Sequence, residues 1–327
     1  MANATVSRLG LVNNTGTNFD ELFLKVFSGE VLTSFTRNNI FNEQPHSVRT
    51  IASGKSASFP VLGTATAAYH SVGTPLVGAN QIKANEKIIT IDDLLISQAF
   101  VAQIDELKNH YDVRATYADE LGKALAKQYD INVAKVLANA SRTSTTLSGG
   151  DGGTVLTLAS GNTNSAAVTG DELAAAIYDI AQTFDERDIP TTDRFCVLPP
   201  AEYYKLAETA TRTVDTDFNP QGNGSFASGK IQQIAGIPVM MSNSVPQTNR
   251  SAVTGENNTY SGDDSKTIGL VFHKSAVGTV KLMDMKTEIS GSDYNLMYQG
   301  TLMIAKYLLG HGVLRPECAA TIKLSAS

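Results

Sequence analysis

Two short runs in this chain carry side chains that could do phosphate or metal chemistry, and in each the spacing is wrong for it. Gly54-Lys55-Ser56 has the lysine and hydroxyl that close a phosphate-binding loop. That loop needs its first glycine at position 49, where the chain has Arg49, and a hairpin turn accounts for the triplet instead. Asp215, Asp217 and Asn219 open like a calcium loop, but Pro220 stands where its sharp turn needs glycine and Phe226 where it needs a bidentate glutamate. The histidines, His46, His70, His110, His273 and His311, never fall as a close pair with a third ligand, which argues against a metal site. No serine or cysteine sits in a recognisable nucleophile setting. Cys196 and Cys318 are far apart in sequence and read as small buried apolar residues rather than a disulfide. His311, flanked by Gly310 and Gly312, reads as part of a tight turn near a terminal strand. The residues imply no catalytic centre, no cofactor and no metal, so a non-enzymatic protein is expected.

Charged residues inside apolar runs remain. Arg114 falls at the edge of an apolar stripe, and Arg315-Pro316-Glu317 interrupts an apolar run. A charge drawn out of water is costly unless it is matched, so such residues meet a designated partner, which could lie in another chain.

The element expected to organise the chain is a proline-free helix from about Ile104 to Ala140. At 100° per residue Ile104, Leu107, Tyr111, Ala115, Ala118, Leu121, Leu125, Tyr129, Val133, Val136 and Ala140 share one side. Asp105, Asp112, Glu120, Lys123 and Lys127 form a solvated back, and Asp112 is an alternative N-cap. Such a helix would span roughly 50 Å at 1.5 Å per residue, more than a compact domain needs. Gly122 lies on the stripe, where it costs about 1 kcal/mol against alanine.

Before it, Phe19 to Phe35 reads as an amphipathic helix on an N-terminal arm. His46 to Asp92 switches to strand character. Val48, Thr50 and Ile51 precede the Gly54-Lys55 turn; Ser56 to Leu62 and Ile82 to Ile91 then flank a long connection rich in Gly, Thr and Ala. This predicts an extended hairpin that projects and, being poor in apolar residues, must rest on something else. Ser141 to Ala166 reads as a loop or strand pair without core signal. Helices are expected over Asp171–Asp185 and Ala201–Thr211. Strands are expected over Arg194–Leu198, Ile231–Ser242, Lys266–His273, Val277–Ile289 and Ala319–Leu324. Asp215–Ser228 and Val245–Ser265 read as polar loops, and Tyr294–Leu309 fits helix or strand equally. The whole is α+β, its sheet built from separated strands.

Composition sets outer limits. With 327 residues, 42% hydrophobic and 18% charged, the chain is long enough for a large core and two or three structural regions. A net charge of −6 argues against a protein that coats nucleic acid, since phosphate neutralisation needs clustered Lys and Arg. No run reaches eighteen consecutive apolar residues, and MANATVSRLG lacks a signal-peptide pattern, so no membrane association and synthesis in the cytosol are expected.

LFLKVFSGEVL (Leu22 to Leu32), HSVRTIASGKSASFPVLG (His46 to Gly63), NHYDVR (Asn109 to Arg114), HKSAVGTVKL (His273 to Leu282) and AKYLLGHGVLRPE (Ala305 to Glu317) resemble the major capsid proteins of short-tailed bacteriophages of the autographivirus group. The likeness covers nearly the whole chain. It implies the tailed-phage capsid fold named after the Hong Kong 97 phage: an N-arm over 1–46, an E-loop hairpin over 47–91, a peripheral domain with a spine helix over 92–148 and 277–304, and an axial domain over 149–276 and 305–327. The function it implies is a shell subunit that self-assembles into hexamers and pentamers of an icosahedral head around double-stranded DNA, located in the virion and, during assembly, in the host cytoplasm. The partners it implies are other copies of the chain, a scaffolding protein, a portal, a cement protein, and packaged DNA by weak non-specific contact. Arg49, Lys55, Phe59, Arg114, Gly122, Arg315 and Glu317 are the residues expected at assembly or packing contacts. The rival reading is an encapsulin-like cage or other homo-oligomeric scaffold of the same fold.

Overall fold

The computed structural model describes residue 41 and residues 46–63, 65, 67–75, 82–104, 114–145, 150–159, 165–208, 224–225, 230–231, 233–251 and 260–325. The expected helix on the arm lies outside them, as do residues 105–113 of the expected long helix. In chain order the elements are β1 (Ser47–Thr50), β2 (Ser56–Leu62), β3 (Ala84–Thr90), β4 (Leu95–Ala102), α1 (Arg114–Ala140), β5 (Thr154–Thr157), α2 (Gly170–Glu186), β6 (Arg194–Leu198) and α3 (Pro200–Glu208). There follow β7 (Gly224–Ser225), β8 (Lys230–Ile231), β9 (Gln233–Ile234), β10 (Ile237–Met241), β11 (Thr267–His273), β12 (Val277–Ile289), α4 (Ser292–Tyr298), β13 (Gly300–Val313) and β14 (Ala319–Lys323). The described residues fall into two compact units, one of 93–129 and 283–309, the other of 40–92, 130–282 and 310–327.

The larger unit is built on a six-stranded mixed sheet in the order β5-β14-β11-β6-β10-β9. Its central strand, TIGLVFH, is buried at every position through Phe272, as a continuous apolar run predicts for a strand covered on both faces. Val271 lies opposite Cys196 on one side and Ala320 on the other. Phe272 stacks obliquely on Phe41 and Phe195, with ring centroids 6.0 and 5.9 Å apart. Helix α2 starts where the chain supplies a reciprocal cap. Thr169 Oγ1 accepts from Glu172 N–H at 3.4 Å, and Glu172 Oε2 accepts from Thr169 N–H at 2.9 Å. From there Leu173, Ile177, Ile180, Ala181 and Phe184 recur at helical spacing and are all buried. Arg194 is drawn into this core with its charge matched, Nη2 lying 2.7 Å from Asp185 Oδ1 and the guanidinium over the Phe184 ring at 5.6 Å. Both cysteines are free and buried, and burial pushes the Cys196 thiol up to about 12.

In the smaller unit β4 runs antiparallel to β13, Leu95 opposite Tyr307 and Ala102 opposite Gly300. The Tyr307 hydroxyl reaches the Leu125 carbonyl of α1 at 3.5 Å. Tyr294 of α4 packs on Tyr298 at 4.5 Å and edge-on to Phe100 at 6.4 Å.

Several expectations change. Helix α1 keeps its stripe, with Leu125, Tyr129, Val133, Val136 and Ala140 buried, and a solvated back at Glu120 and Lys127. Its last turns have no solvated back: Ala134, Lys135, Leu137 and Ala138 are buried too. Small and apolar residues on the far face let neighbours close round it. Ser141–Ala166 contributes to the core after all, because β5 pairs in parallel with β14 and Leu158 is buried. A short alternation of threonine with valine and leucine carries too little signal to announce an edge strand. The expected single strand over Ile231–Ser242 is broken by an Ala235-Gly236 turn, so β9 folds back antiparallel on β10. Tyr294–Leu309 resolves into the end of α4 followed by strand, and Gly310-His311-Gly312 is no turn but part of β13.

Candidate assembly surfaces

The hairpin expected between His46 and Asp92 is present as β2 and β3, seven residues each, paired antiparallel from Ser56 opposite Thr90 to Leu62 opposite Ala84. The strand before it, β1, pairs in parallel with β12 instead, Arg49 lying opposite Val280. Along β2 burial alternates, and only Ala57 on β2 and Ile89 on β3 reach the core. These two form a small apolar cluster with Val280 of β12 and Leu314 just after β13, flanked by Ile51, Phe59 and Ile91. This is the hairpin's root. Beyond it apolar side chains face solvent: Leu62 is 72% exposed, Ile82 59% and Ile88 57%. Tyr69 and Val72 in the connection are fully exposed.

Arg49, Lys55 and Phe59 belong to this root. Arg49 is exposed, its Nη1 donates to the Ser58 carbonyl at 2.9 Å, and its guanidinium lies 5.5 Å from the Phe59 ring centroid. Lys55 lies in the turn, exposed, and its carbonyl accepts from Ile91 N–H at 2.9 Å, closing the base of the hairpin. Arg114 is the first residue of α1, and Gly122 is half-buried about two turns before the buried Tyr129. Arg315 and Glu317 find each other: Arg315 Nε donates to Glu317 Oε1 at 2.7 Å, with the arginine half exposed. Arg315 thus meets a designated partner within its own chain, two residues away, where the intervening Pro316 opens a 3₁₀ turn. An exposed pair of this kind contributes at most about 1 kcal/mol.

Two buried polar assemblies were not anticipated. In the first, Asp264, fully buried, lies between Arg250, which reaches its Oδ2 through Nε at 3.0 Å, and Arg142, whose Nη2 stands 2.6 Å from Oδ1. Together with Val245 and Tyr260, both buried, this anchors at its two feet a segment expected to be a polar loop. A hydrophilic run does not reveal which of its charges will meet in the interior. In the second, His311 is buried on β13 with Nδ1 2.8 Å from Thr279 Oγ1 of β12, and the Tyr260 ring is 6.3 Å from its own. Burial, then the nearby His46, pulls the His311 pKa down to about 3, so the ring is neutral at pH 7. A cleft of about 660 Å³ opens beside it, bordered by Ile88 and Thr90 of the hairpin, Asn139 and Arg142 at the end of α1, and Lys323 of β14. Among the described residues no group of three His, Cys, Asp or Glu is placed to hold a metal.

The sequence model of the Gp10A-like family, described as major capsid protein, matches residues 58–323. The chain belongs to this family. It is a major capsid protein of a phage head, and its place is the capsid of the virion. The subunit is 34% identical to the major capsid protein of Escherichia phage T7 over 331 residues, covering 92% of this chain and 91% of that one. The major capsid protein of Enterobacteria phage T3 is 34% identical over 324 residues, covering 93% and 91%. Among solved structures, the capsid of cyanophage P-SCSP1u aligns over 100% of both chains at 48% identity with a TM-score of 0.83. The mature capsid of bacteriophage PhiM1, 18% identical over 93% of this chain and 92% of that one, has a TM-score of 0.74 and shows the shared fold. The phage capsid proteins favour the head over the cage-like compartment as the reading of this subunit. No described helix is long and apolar enough to cross a membrane.

Proposed function

We propose that the capsid subunit forms hexamers and pentamers of an icosahedral head around double-stranded DNA, with the β2–β3 hairpin as the E-loop laid across a neighbouring copy. The observation that carries this is the hairpin itself. Two strands alone are marginally stable in water, and past the Ala57–Ile89 root Leu62, Ile82 and Ile88 are more than half exposed. A neighbouring subunit is the partner that covers them. Charge supports it: residues 47–91 carry Arg49, Lys55, Lys83 and Lys87 against Glu86 alone, a basic segment in a chain of net charge −6. Copies that are acidic elsewhere attract such a loop and orient it. Each contact can be modest, because many identical ones act together in a closed shell.

In this reading Arg49, Lys55 and Phe59 set the angle of the E-loop, α1 is the spine, and Arg114 and Gly122 mark where it meets neighbours or bends. Arg315 and Glu317 hold the turn that leads β14 back to the sheet. The N-arm ties capsomers together. A scaffolding protein, a portal and a cement protein are the further partners, and the acidic balance keeps contact with the packaged DNA weak and non-specific. No enzymatic step is assigned to the subunit.

Deleting residues 64–80 tests the central claim. The expected result is a folded subunit that no longer yields particles by electron microscopy, and particles of normal size would overturn it. Gly122→Ala is expected to slow the change from procapsid to mature particle, and unchanged expansion kinetics would remove Gly122 from that role.

A further inference from the structure

The cleft beside the hairpin root is bordered by cations from three separate segments: Lys87 of β3, Arg142 just past α1 and Lys323 at the end of β14. Among the described residues Asp263 is the one carboxylate on its wall, and it is exposed, with Oδ1 already accepting from Ser265 N–H at 3.1 Å. What two of the cations share is a neutral atom. The Asp263 carbonyl oxygen accepts from Arg142 Nη1 and from Lys323 Nζ, the latter at 3.3 Å. Like charges gathered on one carbonyl repel, and the Lys323 pKa is lowered, first by burial and then by Arg142. Arg142 also meets the Asp264 carboxylate, but Arg250 uses the same group, so a single negative charge serves two guanidiniums. Lys87 is half-buried on the inward face of β3, two residues before the buried Ile89, and no carboxylate of the described residues pairs with it. Gly262 lets the wall close in: a Cβ there would lie 2.6 Å from Arg142 Nη2 and 2.7 Å from Asn139 Oδ1. In a chain of net charge −6 this gathering of positive charge is local, and a concave wall focuses it.

We propose that the cleft binds a doubly charged phosphate ion, which staples the hairpin root to the body of the subunit. Lys87 comes from the hairpin, Arg142 and Lys323 from the body, and an anion among them turns mutual repulsion into shared attraction. The donors are there. Arg142 Nε and two of the three Lys323 N–H groups are left over from the bonds already described. Arginine meets phosphate through its planar fork and lysine as a point charge, and tetrahedral oxygens accept from several directions at once, whereas a carboxylate offers two oxygens in one plane. The volume of about 660 Å³ admits the ion with its waters. The proposal deepens the E-loop reading and rests on it only for its consequence in the particle.

Hydrogen exchange of peptides covering 84–92 in the free subunit tests this at about pH 7.5, where phosphate is largely doubly charged. Sodium phosphate is compared with sodium chloride at equal ionic strength. For a dissociation constant of about 1 mM, about 10 mM phosphate should raise protection of this segment about tenfold and leave β6 and β11 unchanged. Lys87→Gln should abolish the rise while leaving protection in chloride no lower, since it also removes a repulsion. Lys323→Gln should weaken the rise. A short DNA duplex at the same total phosphate should have no effect; if it reproduces the rise, the assignment to a free ion falls. No rise in the wild type overturns the site, as does a rise shared equally by β6 and β11 or one that survives the two substitutions together. A local rise in the free subunit alongside normal particles from the 64–80 deletion would sink the E-loop reading and leave the site standing.

Discussion

The sheet around β11 and the hairpin β2–β3 are both made of strands, yet they hold together by opposite means. In β11 six consecutive residues are buried and both neighbours are full-length strands, so the element carries its own stability. The hairpin buries two residues and leaves its longer apolar side chains in water. The difference separates the part of the subunit that carries its own stability from the part that, on the proposed reading, a neighbouring copy completes. Substitutions in the sheet should act on the subunit, whereas those in the hairpin should act on the particle.

The largest effect is expected in the sheet. Phe272→Ala removes a ring, 1% exposed, that packs on Phe41 and Phe195, and should cost about 3–5 kcal/mol in denaturant unfolding of the free subunit. At the root, Ile89→Ala should cost about 2–5 kcal/mol if the cluster with Val280 and Leu314 unfolds with the sheet. If instead the root opens by itself, the unfolding midpoint holds and only exchange in 84–92 quickens, which would make the hairpin a separate cooperative unit. Smallest for the subunit is Phe59→Ala. It loses the contact under Arg49, worth about 0.5–1 kcal/mol at an exposed site, and its measurable consequence should be fewer closed particles at a given concentration. A loss of several kcal/mol from Phe59→Ala would erase the contrast between the two regions.

Much of this contrast was legible in the residues. The alternation through Ser56–Leu62 and the apolar run through Thr267–Phe272 mark one strand as half-covered and the other as fully covered before any coordinates are known. Strand β6 and strand β12 have the bounds that composition predicts, and the helical spacing of Leu173, Ile177, Ile180 and Phe184 places α2 within a residue of its ends. The root was harder to see. Its need for support follows from scarcity of apolar residues, but Val280 and Leu314, which supply that support, are more than 190 positions away from Ile89 or from Ala57. His311 shows the same limit. Two flanking glycines suggest a turn by local preference, and what they actually permit is the close passage of β3.

By itself, then, the order of residues determined the type of most elements, the absence of motif-spaced catalytic or metal-binding sets, and the family. These depend on periodicity and on near neighbours along the chain. Only the tertiary structure decided which strands pair, that Asp264 sits between Arg142 and Arg250, that Arg315 meets Glu317, and that the hairpin root passes close over Gly310 and Gly312. Those facts join residues distant in sequence, and pairing of that kind is settled by burial and close packing, which no local pattern records.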